Sequence, residues 1–469
     1  MNDSITIAVL IPVTFGMDPH VALSLLVGIY AASACGGSIP AVLLEIPGTA
    51  SAMVTAWDGY PMTLKGYSKR ALSICMTSSF LGGISSAIVL MCFAPALASL
   101  ALRFGPPEYF MMTVLGMSTV IGMAGENVAK NFLSMAVGLW ISCIGMSTMT
   151  GVDRYTFNIP SLLDGIPLIP QMIGLFGIFS VLKICDAAGR KKDEVTIAAE
   201  AAQSIADDKL GLPDWGMCKR LFPTWLRSST IGNILGVIPG AGMTMAIFMA
   251  YDRAKKSQPE LSFGTGVPEG IAAPESANNA VVASSMVPLL SLGIPGNSTS
   301  ALFLGALTIQ GLRPGPELFS ENPDMGYMII VGFILANLMM LPMGLMFCKY
   351  CASKVLKLNS KILSAGVLVL CVTGSYAYMN NPFHIGVMLF FGILGYFFWK
   401  FDLPQAPLIL STVIGPMMEN NWMASMVYAD GSLLVFLQRP ISLILLILSA
   451  LFFVWPVVQR MKKKGTSAK

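Results

Sequence analysis

Apolar runs of bilayer-spanning length, about 20 residues each, recur along nearly the whole chain. They predict spanning helices at 71–102 (long enough for a strong tilt), 107–124, 128–149 and 166–182, and again at 326–347, 362–379, 384–399 and 440–458. A polar stretch at 183–229 separates the two groups and reads as the one sizeable soluble piece. Three other segments, 2–60, 232–311 and 404–418, are apolar yet too rich in Gly, Pro, Ser and Asn for simple spans.

Composition agrees with this pattern. Of 469 residues, 55% are hydrophobic and 12% charged, and the mean hydropathy is +0.70. A soluble domain carries about a quarter charged residues because its surface meets water, so most of this surface meets lipid. The predicted class is all-α, a polytopic helical membrane protein. Nine cysteines are scattered through apolar runs, where small-residue packing is their role. Cys348 and Cys351 lack the second pair or histidines of a zinc site. With only His20 and His384 present, histidine-based catalysis and metal binding have little to use. No cofactor and no nucleic-acid partner is expected.

Lys and Arg near span ends stay cytoplasmic. Four basic clusters set the orientation: Lys65/Lys69/Arg70, the loop from Lys183 to Arg227, Lys349/Lys354/Lys357/Lys361, and Arg460/Lys462/Lys463/Lys464. The loops at 105–108, 153–158 and 419–430, poor in basic residues, fall outside. The C-terminus is therefore predicted in the cytoplasm.

One element occurs twice. Pro40-Ala41-Val42-Leu43-Leu44-Glu45-Ile46-Pro47-Gly48 aligns with Pro288-Leu289-Leu290-Ser291-Leu292-Gly293-Ile294-Pro295-Gly296. Each continues into small polar residues, Thr49-Ala50-Ser51 and Asn297-Ser298-Thr299. The flanking charges are reversed: Asp18 and His20 precede the first copy and Lys65, Lys69 and Arg70 follow it. Arg253, Lys255 and Lys256 precede the second, and Glu317, Glu321 and Asp324 follow it. By the positive-inside rule the two halves lie upside down to each other. The predicted organisation is a first transmembrane repeat at 1–184, a cytoplasmic loop at 185–226, a second repeat at 227–458 and a basic cytoplasmic tail at 459–469. Inverted repeats with helices or hairpins broken at Pro-Gly are the architecture of many secondary transporters. A break in the bilayer frees backbone groups that must line protein or a cavity, and the helix that restarts there aims its N–H groups inward.

At these residues the sequence resembles the large membrane subunit of the tripartite tricarboxylate transporters, from Ile5 to Ile444. The most specific stretches are Gly236-Val237-Ile238-Pro239-Gly240-Ala241-Gly242, Tyr251-Asp252-Arg253, and Pro268-Glu269-Gly270-Ile271-Ala272-Ala273-Pro274-Glu275-Ser276-Ala277-Asn278-Asn279-Ala280. Gly36-Gly37-Ser38, Trp57-Asp58-Gly59-Tyr60-Pro61 and Arg439-Pro440-Ile441 add to it. The resemblance implies ion-driven uptake of tricarboxylates or related small carboxylates across a bacterial inner membrane. It also implies two partners, a small four-helix membrane subunit and a periplasmic substrate-binding protein. Two departures stand out. Family members carry Asn where Glu45 stands. They also begin with a further apolar segment ending in Pro-Gly, so an upstream helix is expected ahead of Met1.

Candidate substrate-binding residues are Asn2, Ser4, Gly48, Thr49, Ser51, Gly240, Gly242, Gly296, Asn297 and Ser298, around the two breaks. Asp3, Glu45, Glu275, Asn278 and Asn279 are the candidates for coupling Na+ or H+, since oxygens in this density suit a hard cation. No other metal and no catalytic residue is expected. Asp58 reads as a helix-end or turn residue at the interface, and Glu126 and Lys130 as a local pair. The competing readings are an intramembrane enzyme acting on a lipid-soluble substrate, a passive channel, and an inactive, N-terminally truncated permease. An enzyme would need a nucleophile–base pair or metal cluster that the chain does not display. The orientation has a direct check: reporters fused after Lys192 and Lys469 should be active only in cytoplasmic form, and activity confined to the outside would overturn it.

Overall fold

The protein is described by a computed structural model covering residues 3–45, 48–123, 128–147, 149–188, 212–239, 242–350 and 360–466. Helices form nearly all of it. The first half runs α1 (Asp3–Leu10), α2 (Pro19–Gly36), α3 (Ser38–Leu44), α4 (Met53–Leu64), α5 (Ser68–Ala101), α6 (Pro106–Met123) and α7 (Val128–Ser142). A short hairpin follows, β1 (Gly145–Met146) pairing antiparallel with β2 (Asp153–Arg154). Then come α8 (Leu168–Met172), a π-helical turn (Ile173–Ile178) and α9 (Phe179–Ala188). The second half runs α10 (Trp215–Val237), α11 (Gly242–Ser257), α12 (Pro268–Ser284), α13 (Met286–Leu292), α14 (Ser298–Ile309), α15 (Pro316–Glu321) and α16 (Pro323–Tyr350). It ends with α17 (Ser360–Ala377), α18 (Phe383–Lys400), α19 (Gln405–Tyr428), α20 (Val435–Gln438) and α21 (Pro440–Thr466).

Among the described residues, four helical stretches are long and apolar enough to cross a bilayer: Pro19–Leu44, Ser68–Ala101, Pro323–Tyr350 and Phe383–Lys400. The predicted spans coincide with helices to within a few residues, with two instructive differences. The span expected at 128–149 stops at Ser142, because Gly145 at φ 120 turns the chain into the β-hairpin. The segment at 404–418, expected to be broken, is part of the continuous helix α19. Pro404 precedes that helix and Pro407 lies in its first turn, where backbone N–H groups lack intrahelical partners anyway; only Pro416 is interior. Glu126 and Cys351 lie outside the described residues. Lys130 donates to the carbonyl of Phe401 at 2.8 Å.

Helix α12 is the axis of the molecule: every residue from Glu269 to Ser284 is buried. It packs on α5, α10, α11 and α2. Contact this close needs small residues, as in other membrane helix pairs. A Cβ at Gly82 of α5 would collide with the backbone of Ser276, and one at Gly232 of α10 with that of Ala277. In the complementary arrangement, α16 packs on α2.

Asp58 fixes where α12 begins. It lies inside α4, fully buried, rather than at a helix end. Its Oδ1 accepts from the backbone N–H groups of Gly264, Gly266 and Val267 at 2.8–2.9 Å, and its Oδ2 from the Tyr251 hydroxyl at 2.8 Å. One turn on, Glu269, 0% exposed, takes a bidentate pair from Arg220 of α10 at 2.5 and 3.0 Å. Asp58→Ala should therefore cost about 3 kcal/mol or more, since several donors lose their acceptor at once. Tyr251→Phe removes one bond and should cost about 1 kcal/mol. Thermal unfolding in detergent measures both, and equal losses would show that the backbone cradle is not what Asp58 stabilises.

Candidate functional site

The duplicated sequence builds the same device twice. Helix α2 continues through Gly37 into α3, and α12 continues through Ser285 into α13; Gly37 and Ser285 are aligned positions. Each short helix ends in a left-handed residue, Glu45 at φ 59 and Gly293 at φ 72. Their N–H groups donate to the carbonyls of the aligned prolines Pro40 and Pro288. After each break, the glycine folds back on the kink. A Cβ at Gly48 would sit 2.9 Å from the Gly37 carbonyl oxygen, and one at Gly296 would sit 2.8 Å from that of Ser285. Only glycine allows that approach. Ile46 and Pro47 lie outside the described residues.

At the first break, Glu275 is the centre. It is 0% exposed, and its Oε1 accepts from Ser38 at 2.5 Å and Thr55 at 2.6 Å, while its Oε2 accepts from Ser79 at 2.8 Å. The donors come from α3, α4 and α5, so the carboxylate joins three elements of the first half to α12. One turn along, Asn278 donates to the carbonyl of Ala34 on α2 at 3.0 Å, and Asn279 donates to that of Glu275 at 3.4 Å. The Oδ1 atoms of both asparagines are buried and have no hydrogen-bond partner. Thr49 and Ser51, both buried, hydrogen bond to each other at 3.0 Å. Glu45 is exposed.

At the second break, Asn297 caps α14 in a reciprocal box with Ser300. Tyr30 of α2 reaches it: the hydroxyl hydrogen bonds with Ser285 at 3.0 Å and accepts from Asn297 Nδ2 at 3.1 Å. Thr299 donates to Asp3 Oδ2 at 3.1 Å and meets the Ser4 hydroxyl at 2.8 Å. The start of α1 thus faces the start of α14. Gly296 is buried and Ser298 half-buried. Gly242, at φ 69, opens α11, which packs beside Ala50–Ala52 at the first break. Asn2 and Gly240 lie outside the described residues.

Ser38, Thr55, Ser79, Tyr30 and Thr299 were not among the expected site residues. Ser38 falls within a stretch that carries the resemblance and Thr299 ends the small polar run after the second break; the others sit in apolar runs, and the partners of all five are far away in sequence. Glu269 and Asp58, acidic and near the breaks, are instead occupied in holding the entry to α12. No group of three or more His, Cys, Asp or Glu able to hold a metal ion occurs among the described residues.

A family model described as the tripartite tricarboxylate transporter TctA family matches residues 1–410. The chain is also similar to an uncharacterized 52.8 kDa protein in the TAR-I ttuC' 3'region of Agrobacterium vitis, 36% identical over 444 residues. That alignment covers 94% of this chain and 86% of the relative. An uncharacterized protein in the TAR-II ttuC' 3'region of the same organism is 36% identical over 216 residues, covering 46% of this chain and 89% of its own. No solved structure matches.

The left-handed residue at the first tip offers a test of the paired geometry. A side chain costs about 1 kcal/mol in that conformation and glycine does not. Glu45→Gly, which reproduces the second tip, should raise the thermal unfolding midpoint in detergent. A lowered midpoint would mean that the Glu45 side chain makes stabilising contacts that outweigh its backbone strain.

Proposed function

We propose that the chain, which belongs to the tripartite tricarboxylate transporter TctA family, is the transport subunit of a binding-protein-dependent secondary carrier. In this reading it imports tricarboxylates or related small carboxylates across a bacterial inner membrane together with Na+ or H+. A periplasmic binding protein delivers the substrate, and a small four-helix membrane subunit completes the assembly. The two halves sit in opposite orientations, with the basic loops and the C-terminus in the cytoplasm.

The observation that carries the reading is Glu275 with its three hydroxyl donors beside two asparagine oxygens that lack partners, all in an apolar interior. Polar and ionisable groups at such depth are costly and belong to transport pathways. The anion is bound between the tips, at the restarting helices, where N–H groups and the positive end of the helix dipole favour negative charge. Thr49, Ser51, Ser4, Asn297 and Ser298 supply hydroxyl and amide contacts there, and Gly48, Gly242 and Gly296 let backbone approach. Glu275, Asn278 and Asn279 at the first tip and Asp3 at the second hold the coupled cation charge, which offsets that of the substrate. Glu45 flanks the first tip and biases the site against the most highly charged anions.

Uptake by the assembled carrier, at matched membrane abundance and with binding protein present, is the test. Glu275→Gln should cut uptake about tenfold at limiting cation, equivalent to about 1.4 kcal/mol of cation affinity, and much less at saturating cation. An unchanged cation dependence in the folded variant would remove Glu275 from coupling.

A further inference from the structure

Each tip draws its buried carboxylate from the other half of the chain. Glu275, on α12 in the second half, is held by Ser38 and Thr55 at the first break. Asp3, on α1 in the first half, is held by Thr299 at the second break, and Ser4 beside it meets the same hydroxyl. The exchange extends to packing: α1 lies on α14, and α11 lies on α4 and on Ala50–Ala52.

Both carboxylates are deep in the apolar core, at 0% and 5% exposure. Among the described residues, no Lys, Arg or His forms an ion pair with either. Arg220, on the neighbouring α10, is committed to Glu269, and His20 of α2 to Asp18 and Asp324. The other ionisable side chains beside them are thiols and a phenol, Cys35 and Cys75 near Glu275 and Tyr30 near Asp3. An anion arriving between two such carboxylates meets like charge on both sides, and a buried charge without a counter-charge is strongly disfavoured. A buried carboxylate can take up a proton, or with the neighbouring hydroxyl oxygens it can coordinate an alkali-metal ion.

We infer that the carrier loads two monovalent cations per cycle, one at each tip, each held by a carboxylate from the opposite half. This stoichiometry rests on the carrier reading above, but its test needs neither substrate nor partner. A ligand that binds only the folded state stabilises it in proportion to the logarithm of its concentration, once per site. Thermal unfolding of the purified full chain is followed against NaCl at constant ionic strength, with choline chloride as balance. A second arm varies pH at fixed sodium and is read as the difference between wild type and each variant, which cancels the titrating groups common to both.

In the sodium arm wild type should show twice the slope of Glu275→Gln or Asp3→Asn and the double variant should be flat; in the pH arm, if the proton is the ion, each single variant should differ from wild type by one proton and the double variant by two. Glu275→Asp should keep the full slope with weaker affinity. A one-site slope in wild type, no slope in either arm, or a full slope kept by either neutralised variant overturns the inference. In the sodium arm the wild-type slope alone fixes the number, so there a variant that fails to accumulate does not protect it; in the pH arm Glu275→Asp, which keeps the carboxylate, should show no lost proton, and a loss equal to that of Glu275→Gln overturns the assignment. Cation-driven uptake combined with a one-site slope would sink the stoichiometry and leave the carrier reading standing; absence of uptake would sink that reading instead.

Discussion

A carboxylate placed where no water can reach it must collect its hydrogen-bond donors from the protein, and Glu275 shows what that demand builds. Its donors, Ser38, Thr55 and Ser79, stand on three successive elements of the first half. Satisfying one group on α12 therefore fixes α3, α4 and α5 around it. The same logic repeats along that helix. Asp58 collects three backbone N–H groups and a tyrosine hydroxyl where α12 is entered, and Ser285 meets Tyr30 where it kinks. In lipid each of these groups would cost more left unpaired than it contributes when paired. The polar groups therefore decide which apolar surfaces meet, and the small residues of α5 and α10 let them meet closely.

The duplication turns this into a coupled pair. Each broken hairpin touches the other half through its own long helix, α2 on α16 and α12 on α5. Tyr30 and Ala34, one turn apart on α2, contact Ser285 and Asn278 on α12. A shift of one hairpin must break or carry bonds belonging to the other. That is the mechanical requirement of alternating access built from two repeats.

Much of this was legible in the chain. The apolar runs located the long helices because bilayer thickness imposes a length, and the repeated Ile-Pro-Gly located both breaks because proline and glycine stop helices for local reasons. Glu275, Asn278 and Asn279 were visible as polar groups in an apolar segment. Their partners were not: Ser38 lies 237 residues from Glu275 and Ser79 lies 196, and a lone hydroxyl in an apolar helix carries no local mark of a distant acceptor. Asp58 misled for a related reason. Beside Gly59 and Pro61 it looked like a turn, but the loop that needs it, at 264–267, is in the other half. The continuity of α19 was hidden because proline is disruptive only beyond the first turn, and composition does not reveal where a helix starts.

The two tips are alike in backbone and different in chemistry, and the difference is informative. In the aligned register Tyr30 corresponds to Asn278, and Ser285 to Gly37. At the second tip the tyrosine hydroxyl, Ser285 and Asn297 close on one another. At the first tip the aligned positions are a shorter amide and a glycine, and the Asn278 and Asn279 oxygens are left without partners. Buried acceptors without donors are unfavourable unless something else supplies positive charge or a proton. The second tip satisfies Tyr30, Ser285 and Asn297 from within, its Asp3 carboxylate aside, whereas the first leaves two buried acceptors in need of a donor or positive charge. A cation bound beside Glu275 would meet that need, which makes the first tip the one whose stability depends more on occupancy.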